Sequence, residues 1–194
     1  MKKNIGLYFG SFNPIHIGHL IIANYLAEFT ALDEVWLVIT PQNPFKKKAS
    51  LLENHHRFEL VYRAVEGFEK LKASDVEFDL PTPNYTAKTL SVLTEKHPDY
   101  HFNLIMGEDN LRSFHKWKNY EYILQHHEIY VCPRMGEGKI KTEFAKHPHI
   151  HFTKTPIMDI SASLIRDAIK NGKNIQTMLP TPVWKYIDEM NFYR

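Results

Sequence analysis

The sequence predicts an α/β fold, a doubly wound and mostly parallel sheet with helices on both faces, and three observations carry that reading. Short apolar, β-branched runs alternate along the 194 residues with segments whose apolar positions recur every three or four. The breaks between them hold Gly, Pro, Asn and Asp, which suit tight connections. No repeat, low-complexity tract or linker interrupts the alternation. Residues 1–194 are therefore expected to form one domain, with 155–194 as a helical C-terminal part.

The elements follow in order. "NIGLYF" runs into Gly10 and "GHLIIANYLAEF" has helical spacing, so the chain opens as strand, loop, helix. "DEVWLVIT" is a second strand stopped by Pro41, and "PQNPFKKKAS" leads from it into the helix of "LLENHHRFELVYRAVEGF". "ASDVEFDL" alternates like a strand and is closed by "PTPN", after which "YTAKTLSVLTEKH" is helical. "YHFNLIMG" is a fourth strand leading into "EDNLRSFHKWKNYEYIL", "HEIYVCPR" a fifth and "HIHFTKT" a sixth. "DISASLIRDAIKNG" and "TPVWKYIDEM" close the chain as helices, and "MGEGKIKTEF" is the expected mobile surface stretch.

Composition narrows the function classes. Lys and Arg number 24 against 22 acidic residues, so a net charge of +2 argues against a surface that coats nucleic acid. Any anion site must be local. The single cysteine, Cys132, forms no internal disulfide, and the N-terminus lacks a secretory pattern, so a cytoplasmic location is expected. Apolar runs such as "HLIIANYLA" fall short of the roughly 20 residues that span a membrane.

In a sheet of this kind ligands bind beyond the carboxyl ends of the strands, where strand order reverses. At the first strand end, Gly10 lets a phosphate approach the backbone, and Gly18 marks a helix start with free N–H groups. His16 and His19 are three residues apart and can present two imidazoles to one phosphate. As a zinc site the pair is two ligands short, and no nearby Cys, Asp or Glu completes the set. His147, His149 and His151 can fall on one strand face, but an exposed polar face explains them more cheaply. Near the C-terminus, Ser161 is a good N-cap, Ser163 lies in the first turn and Arg166 about one turn further, which makes a second phosphate site.

Together these stretches are specific. "GSFNPIHIGH" resembles the GxFxPxHxGH signature of the nucleotidylyltransferases, and "ISASLIR" resembles their ISSTxIR signature, with Ala162 and Ser163 in place of Ser and Thr. Order and separation match the nicotinate (or nicotinamide) mononucleotide adenylyltransferases, and "TPQNPFK", "HHRFELV", "PNYTAKTL", "IMGEDNL", "FHKW" and "LPTPVWKYI" extend the resemblance over nearly the whole chain. Phe45 stands where many bacterial relatives carry His.

The resemblance implies a Rossmann-like fold and adenylyl transfer from ATP to nicotinate mononucleotide, giving deamido-NAD⁺ and pyrophosphate. It assigns His16, His19 and Arg166 to catalysis, and Gly10, Ser11, Phe12, Ser161 and Ser163 with them to ATP binding. Thr86, Asp109 and Trp117 are assigned to the acceptor, and Lys46 is a further phosphate anchor. Read as residues alone, Thr86 is equally an N-cap, Asp109 a helix-start acid, Trp117 a core aromatic and Lys46 solvated surface. Mg²⁺ is expected on the ATP phosphates with no dedicated protein ligand. Competing expectations are a nicotinamide mononucleotide or phosphopantetheine adenylyltransferase, a nucleotide sensor without turnover, and a histidine-rich metal binder.

Overall fold

The computed structural model describes residues 2–41, 51–135 and 143–194; Phe45, Lys46 and most of "MGEGKIKTEF" lie outside the described residues. Six strands, β1 (Lys3–Gly10), β2 (Glu34–Ile39), β3 (Leu71–Ser74), β4 (Tyr100–Gly107), β5 (Ile129–Cys132) and β6 (Ile150–Phe152), form one sheet in the order β3-β2-β1-β4-β5-β6. All five pairings among the described residues are parallel, as the alternation of strands and helices predicts.

Parallel neighbours need helical crossovers, which cover both faces. Helices α1 (Ile17–Phe29), α2 (Asn54–Val65), α6 (Ala162–Lys170) and α7 (Thr181–Glu189) supply Leu26, Leu60, Ile165 and Val183 to one core, which also takes Tyr8, Val35, Leu37 and Ile39 from the sheet. Helices α3 (Thr86–Lys96), α4 (Glu108–Arg112) and α5 (Tyr120–His126) supply Leu90, Leu111 and Ile123 to the other, with Ile5, Leu7 and Val38. Alternate residues of β1 and β2 thus point to opposite cores, which is why both strands read as continuous apolar runs.

Three elements depart from the sequence expectation. The third strand is not 73–80 but Leu71–Ser74, and Asp75 to Leu80 fold into turns closed by Phe78 N–H to Asp75 O (2.7 Å) and Leu80 N–H to Glu77 O (3.3 Å). The alternation of "DVEFD" has a different cause: Val76 packs against one core and Phe78 against the other. The helix expected over 108–124 breaks into α4, a 3₁₀ turn at Phe114–Lys116 and α5: α4 ends before Ser113, Trp117 is extended with ψ 141°, and Asn119 takes a left-handed φ of 56° before α5. Only His151 of the three spaced histidines lies in β6. His149 Nδ1 pairs with Leu124 O (2.8 Å) and His151 with Glu128, so the three do not share a strand face.

Strand order reverses between β1 and β4. The loops after these two strands therefore flank a crevice at the sheet's carboxyl edge.

Candidate active site

Gly10 ends β1, and a Cβ there would lie 2.8–3.0 Å from ring atoms of Phe12, so the ring folds back over the glycine. Phe12 has a φ of 44° and is 2% exposed, in edge contact with Tyr8 and His19. The missing Cβ at Gly10 thus accommodates an aromatic side chain, where the sequence alone suggested open backbone. The chain then turns through Asn13, which is 3% exposed and joins three parts of the molecule. Its carbonyl accepts from Arg166 Nη1 (2.8 Å), and its Oδ1 accepts from Leu52 N–H (3.2 Å) and the Tyr193 hydroxyl (2.8 Å).

His16 caps α1 and His19 lies in its first turn, their rings stacked with centroids 3.7 Å apart. The His16 amide donates to His19 Nδ1 at 3.3 Å, so His19 carries its proton on Nε2. His16 is 5% exposed, and its Nδ1 sits against Gly18, where a Cβ would approach to 3.1 Å. Burial, and secondarily the Arg134 guanidinium, push the His16 pKa down to about 4. His16 is therefore neutral near pH 7 and offers a hydrogen bond rather than a positive charge.

The C-terminal motif completes this wall. Ser161 caps α6 by accepting from Leu164 N–H (3.2 Å), as expected, and Arg166 Nη2 reaches Ser163 Oγ at 3.2 Å while Nη1 holds Asn13. One guanidinium so ties the last signature to the first across 153 residues.

Opposite lies the end of β4. Gly107 has no room for a Cβ, which would overlap Asp109 Oδ1 and lie 2.9 Å from Arg134 Nε. Asp109 and Arg134 pair at 3.4 Å. A cavity of about 500 Å³ joins these parts, lined among others by Gly10, Ser11, Phe12, His16, His19, Asp109, Arg134, Ser161, Ser163 and Arg166. The structure thus brings together every catalytic and ATP-binding residue expected from the sequence.

Thr86 and Trp117 do not line that cavity. Thr86 starts α3, and Trp117 is half-buried in edge contact with Phe114 at 5.6 Å. The two belong to neighbouring segments, since Lys118 Nζ sits 4.5 Å over the Tyr85 ring.

Two cations escaped the sequence reading. Arg134 follows β5 directly and could have been found by the same strand-end rule that singled out Gly10 and Asp109. Arg57 carried no such signal. It is fully buried and donates to the carbonyls of Ser11 (2.8 Å), Thr40 (2.8 Å), Leu52 (3.0 Å) and Pro41 (3.3 Å) and to Asn54 Oδ1 (2.6 Å). Burial lowers its pKa to about 10, which leaves it charged at neutral pH.

A site of paired imidazoles, a capped helix start and converging guanidinium groups is built to hold polyphosphate. Residues 7–168 match the cytidylyltransferase-like family model. The chain is 60% identical over all 194 residues to a probable nicotinate-nucleotide adenylyltransferase of Christiangramia forsetii, covering 100% of both chains. It is 45% identical over 186 residues to the one of Bacteroides fragilis, covering 96% of this chain and 92% of that one. In fold it resembles the nicotinic acid mononucleotide adenylyltransferase of Plasmodium falciparum complexed with NaAD, with a TM-score of 0.79, 24% identity and coverage of 98% and 97%. Among the described residues no helix is long and apolar enough to cross a membrane. The chain belongs to the cytidylyltransferase-like family and, within it, to the nicotinate-nucleotide adenylyltransferases.

Proposed function

We propose that this chain transfers the adenylyl group of ATP to nicotinate mononucleotide, forming deamido-NAD⁺ and pyrophosphate, as a cytoplasmic enzyme of one domain with 155–194 as its helical end. The observation that carries the proposal is the convergence of His16, His19, Ser161, Ser163 and Arg166 on one cavity at the switch point, in a chain similar to such enzymes along its full length.

The acceptor's 5′-phosphate attacks the α-phosphorus of ATP in line and pyrophosphate leaves. That phosphate is already ionised near neutral pH, so no protein nucleophile or base is required, and positioning with charge stabilisation carries the rate. His19, with its proton on Nε2, and neutral His16 donate to phosphate oxygens as charge builds. Arg166 and the serine-capped start of α6 hold the β- and γ-phosphates that become the leaving group. Thr86 and the N–H groups at the start of α3 receive the acceptor's carboxylate, Trp117 stacks on its ring, and Asp109 faces its ribose. Lys46, outside the described residues, is a further anchor for phosphate.

Among the described residues Asp109 is the one carboxylate lining the cavity, and it already faces Arg134. This donor set fits a Mg²⁺ carried by ATP oxygens and water rather than held in a protein cage. When bound, the ion neutralises charge on the transferred and leaving phosphates.

Initial-rate pyrophosphate release with ATP and Mg²⁺ tests the reading, with nicotinate, nicotinamide and phosphopantetheine acceptors compared. A clear preference for nicotinate mononucleotide is expected. Faster turnover of phosphopantetheine would reassign the acceptor, and tight ATP binding without release from any acceptor would leave a sensor.

A further inference from the structure

Behind the proposed acceptor pocket lies a buried carboxyl that this chemistry leaves unused. Glu77 is 2% exposed and sits in the turns between β3 and α3. Its Oε1 accepts from the Thr89 hydroxyl at 2.7 Å, and its backbone carbonyl accepts from Asn84 Nδ2 at 3.1 Å. Thr40, just past β2, also faces the carboxyl. One residue therefore touches the end of β2, the 81–85 turn and the first part of α3, the helix that begins with Thr86.

Two side-chain atoms in this cluster are buried without a hydrogen-bond partner, Glu77 Oε2 and Asn84 Oδ1. With an ionised carboxyl both are acceptors, and each orphan is costly in a low-dielectric interior. Burial also raises the Glu77 pKa against the pull of the Thr89 and Thr40 hydroxyls, and no charged neighbour contributes.

We propose that Glu77 is a positioning residue for the acceptor mononucleotide: its carboxyl holds Thr89 while its backbone carbonyl holds Asn84, and the two bonds together set the place of Thr86 at the start of α3. This rests on the assignment of Thr86 to the acceptor pocket. Toward ATP the lock reaches only through Thr40, whose amide donates to the Gly10 carbonyl at 2.9 Å and not to a side chain proposed to hold phosphate, so its loss falls chiefly on the acceptor.

The test is steady-state kinetics with each substrate varied in turn, on the unchanged chain, Glu77→Ala, Glu77→Gln and Thr89→Val. Glu77→Ala should raise KM for nicotinate mononucleotide about 10-fold and KM for ATP by less than about 2-fold, the loss of roughly one net hydrogen bond at one substrate. Gln has the shape of the acid and keeps an acceptor for the Thr89 hydroxyl, so Glu77→Gln should restore the acceptor KM to within about 2-fold. Thr89→Val is nearly isosteric and removes the bond to Glu77 together with a longer one to Tyr85 O (3.5 Å), so it decides the matter even if the Ala variant does not fold; an acceptor KM raised about 3-fold or more is expected. An equal rise in both KM values, an unchanged acceptor KM in Thr89→Val, or a Gln variant as impaired as Ala would each overturn the proposal while the unchanged chain stays active. An unchanged chain that does not turn over nicotinate mononucleotide would overturn the acceptor assignment itself, and this proposal with it.

Discussion

At the scale of single residues, the two histidines of the first loop are separable in what they do. His19 is fixed by the His16 amide and presents its Nε2 proton, a contact that matters most when charge builds in flight. His19→Ala should lower kcat by about 10²-fold or more and change KM for ATP little, by analogy with loss of an oxyanion donor; a raised KM with kcat intact would make it a ground-state binder. Trp117→Ala should raise the acceptor KM and spare that of ATP, since Trp117 lies outside the phosphate cavity. Loss of both alike, together with a lower melting temperature, would return Trp117 to the core it partly joins. His16 and His19 were legible because Gly and Pro around them announce a loop before a helix. Arg57 was not, because "HHRFELV" reads as a helix with an exposed charge, and its burial depends on carbonyls supplied by residues 11, 40, 41 and 52. Arg57→Ala leaves those carbonyls unpaired beneath two site loops and should cost about 3–5 kcal/mol in urea unfolding; a loss under about 1 kcal/mol would show the brace to be dispensable.

At the scale of elements, the site is made by strand ends and helix starts, and their backbone conformations leave little freedom. Gly107 closes β4 where Asp109 and Arg134 crowd the position of a side chain. Gly107→Ala should displace that pair and lower kcat/KM at least about 10-fold with the fold kept, measured beside far-UV circular dichroism; an active variant would mean that Asp109 and Arg134 are free to move aside. The expected strand over 73–80 failed for an instructive reason: period-two alternation records which face is apolar, and a turn anchored to both cores produces the same pattern. The long helix expected over 108–124 is interrupted at Ser113, at extended Trp117 and at Asn119, whose left-handed conformation is available to Asn with little strain, and none of these leaves a mark on hydrophobic spacing.

At the scale of the whole molecule, burial of the site couples its chemistry to stability. The folded pKa of His16, about 4, lies below the ordinary 6.5, so the folded chain resists a proton that the unfolded chain accepts. Above pH 6.5 neither state is charged and nothing is lost; as pH falls through 6.5 toward 4 the unfolded state gains. Unfolding free energy should therefore drop by about 2 kcal/mol between pH 7 and pH 5 from His16 alone, and His127, lowered by burial in the same direction, adds to the slope. His16→Gln should flatten that part of the urea-measured pH dependence; an unchanged slope would mean that His16 titrates normally. The sequence by itself determined the alternation of strands and helices, the edge of the sheet where the cavity opens and the residues of the two signatures that converge on it, because these follow from local period, turn chemistry and short motifs. Only the tertiary structure decided that His16 is neutral, that Phe12 fills the space over Gly10, that Arg57 braces two loops from below and that Glu77 is sealed against Thr89 of α3. Those are properties of burial and of partners distant in the chain, and no local pattern encodes how much water a side chain loses when the sheet and its helices close around it.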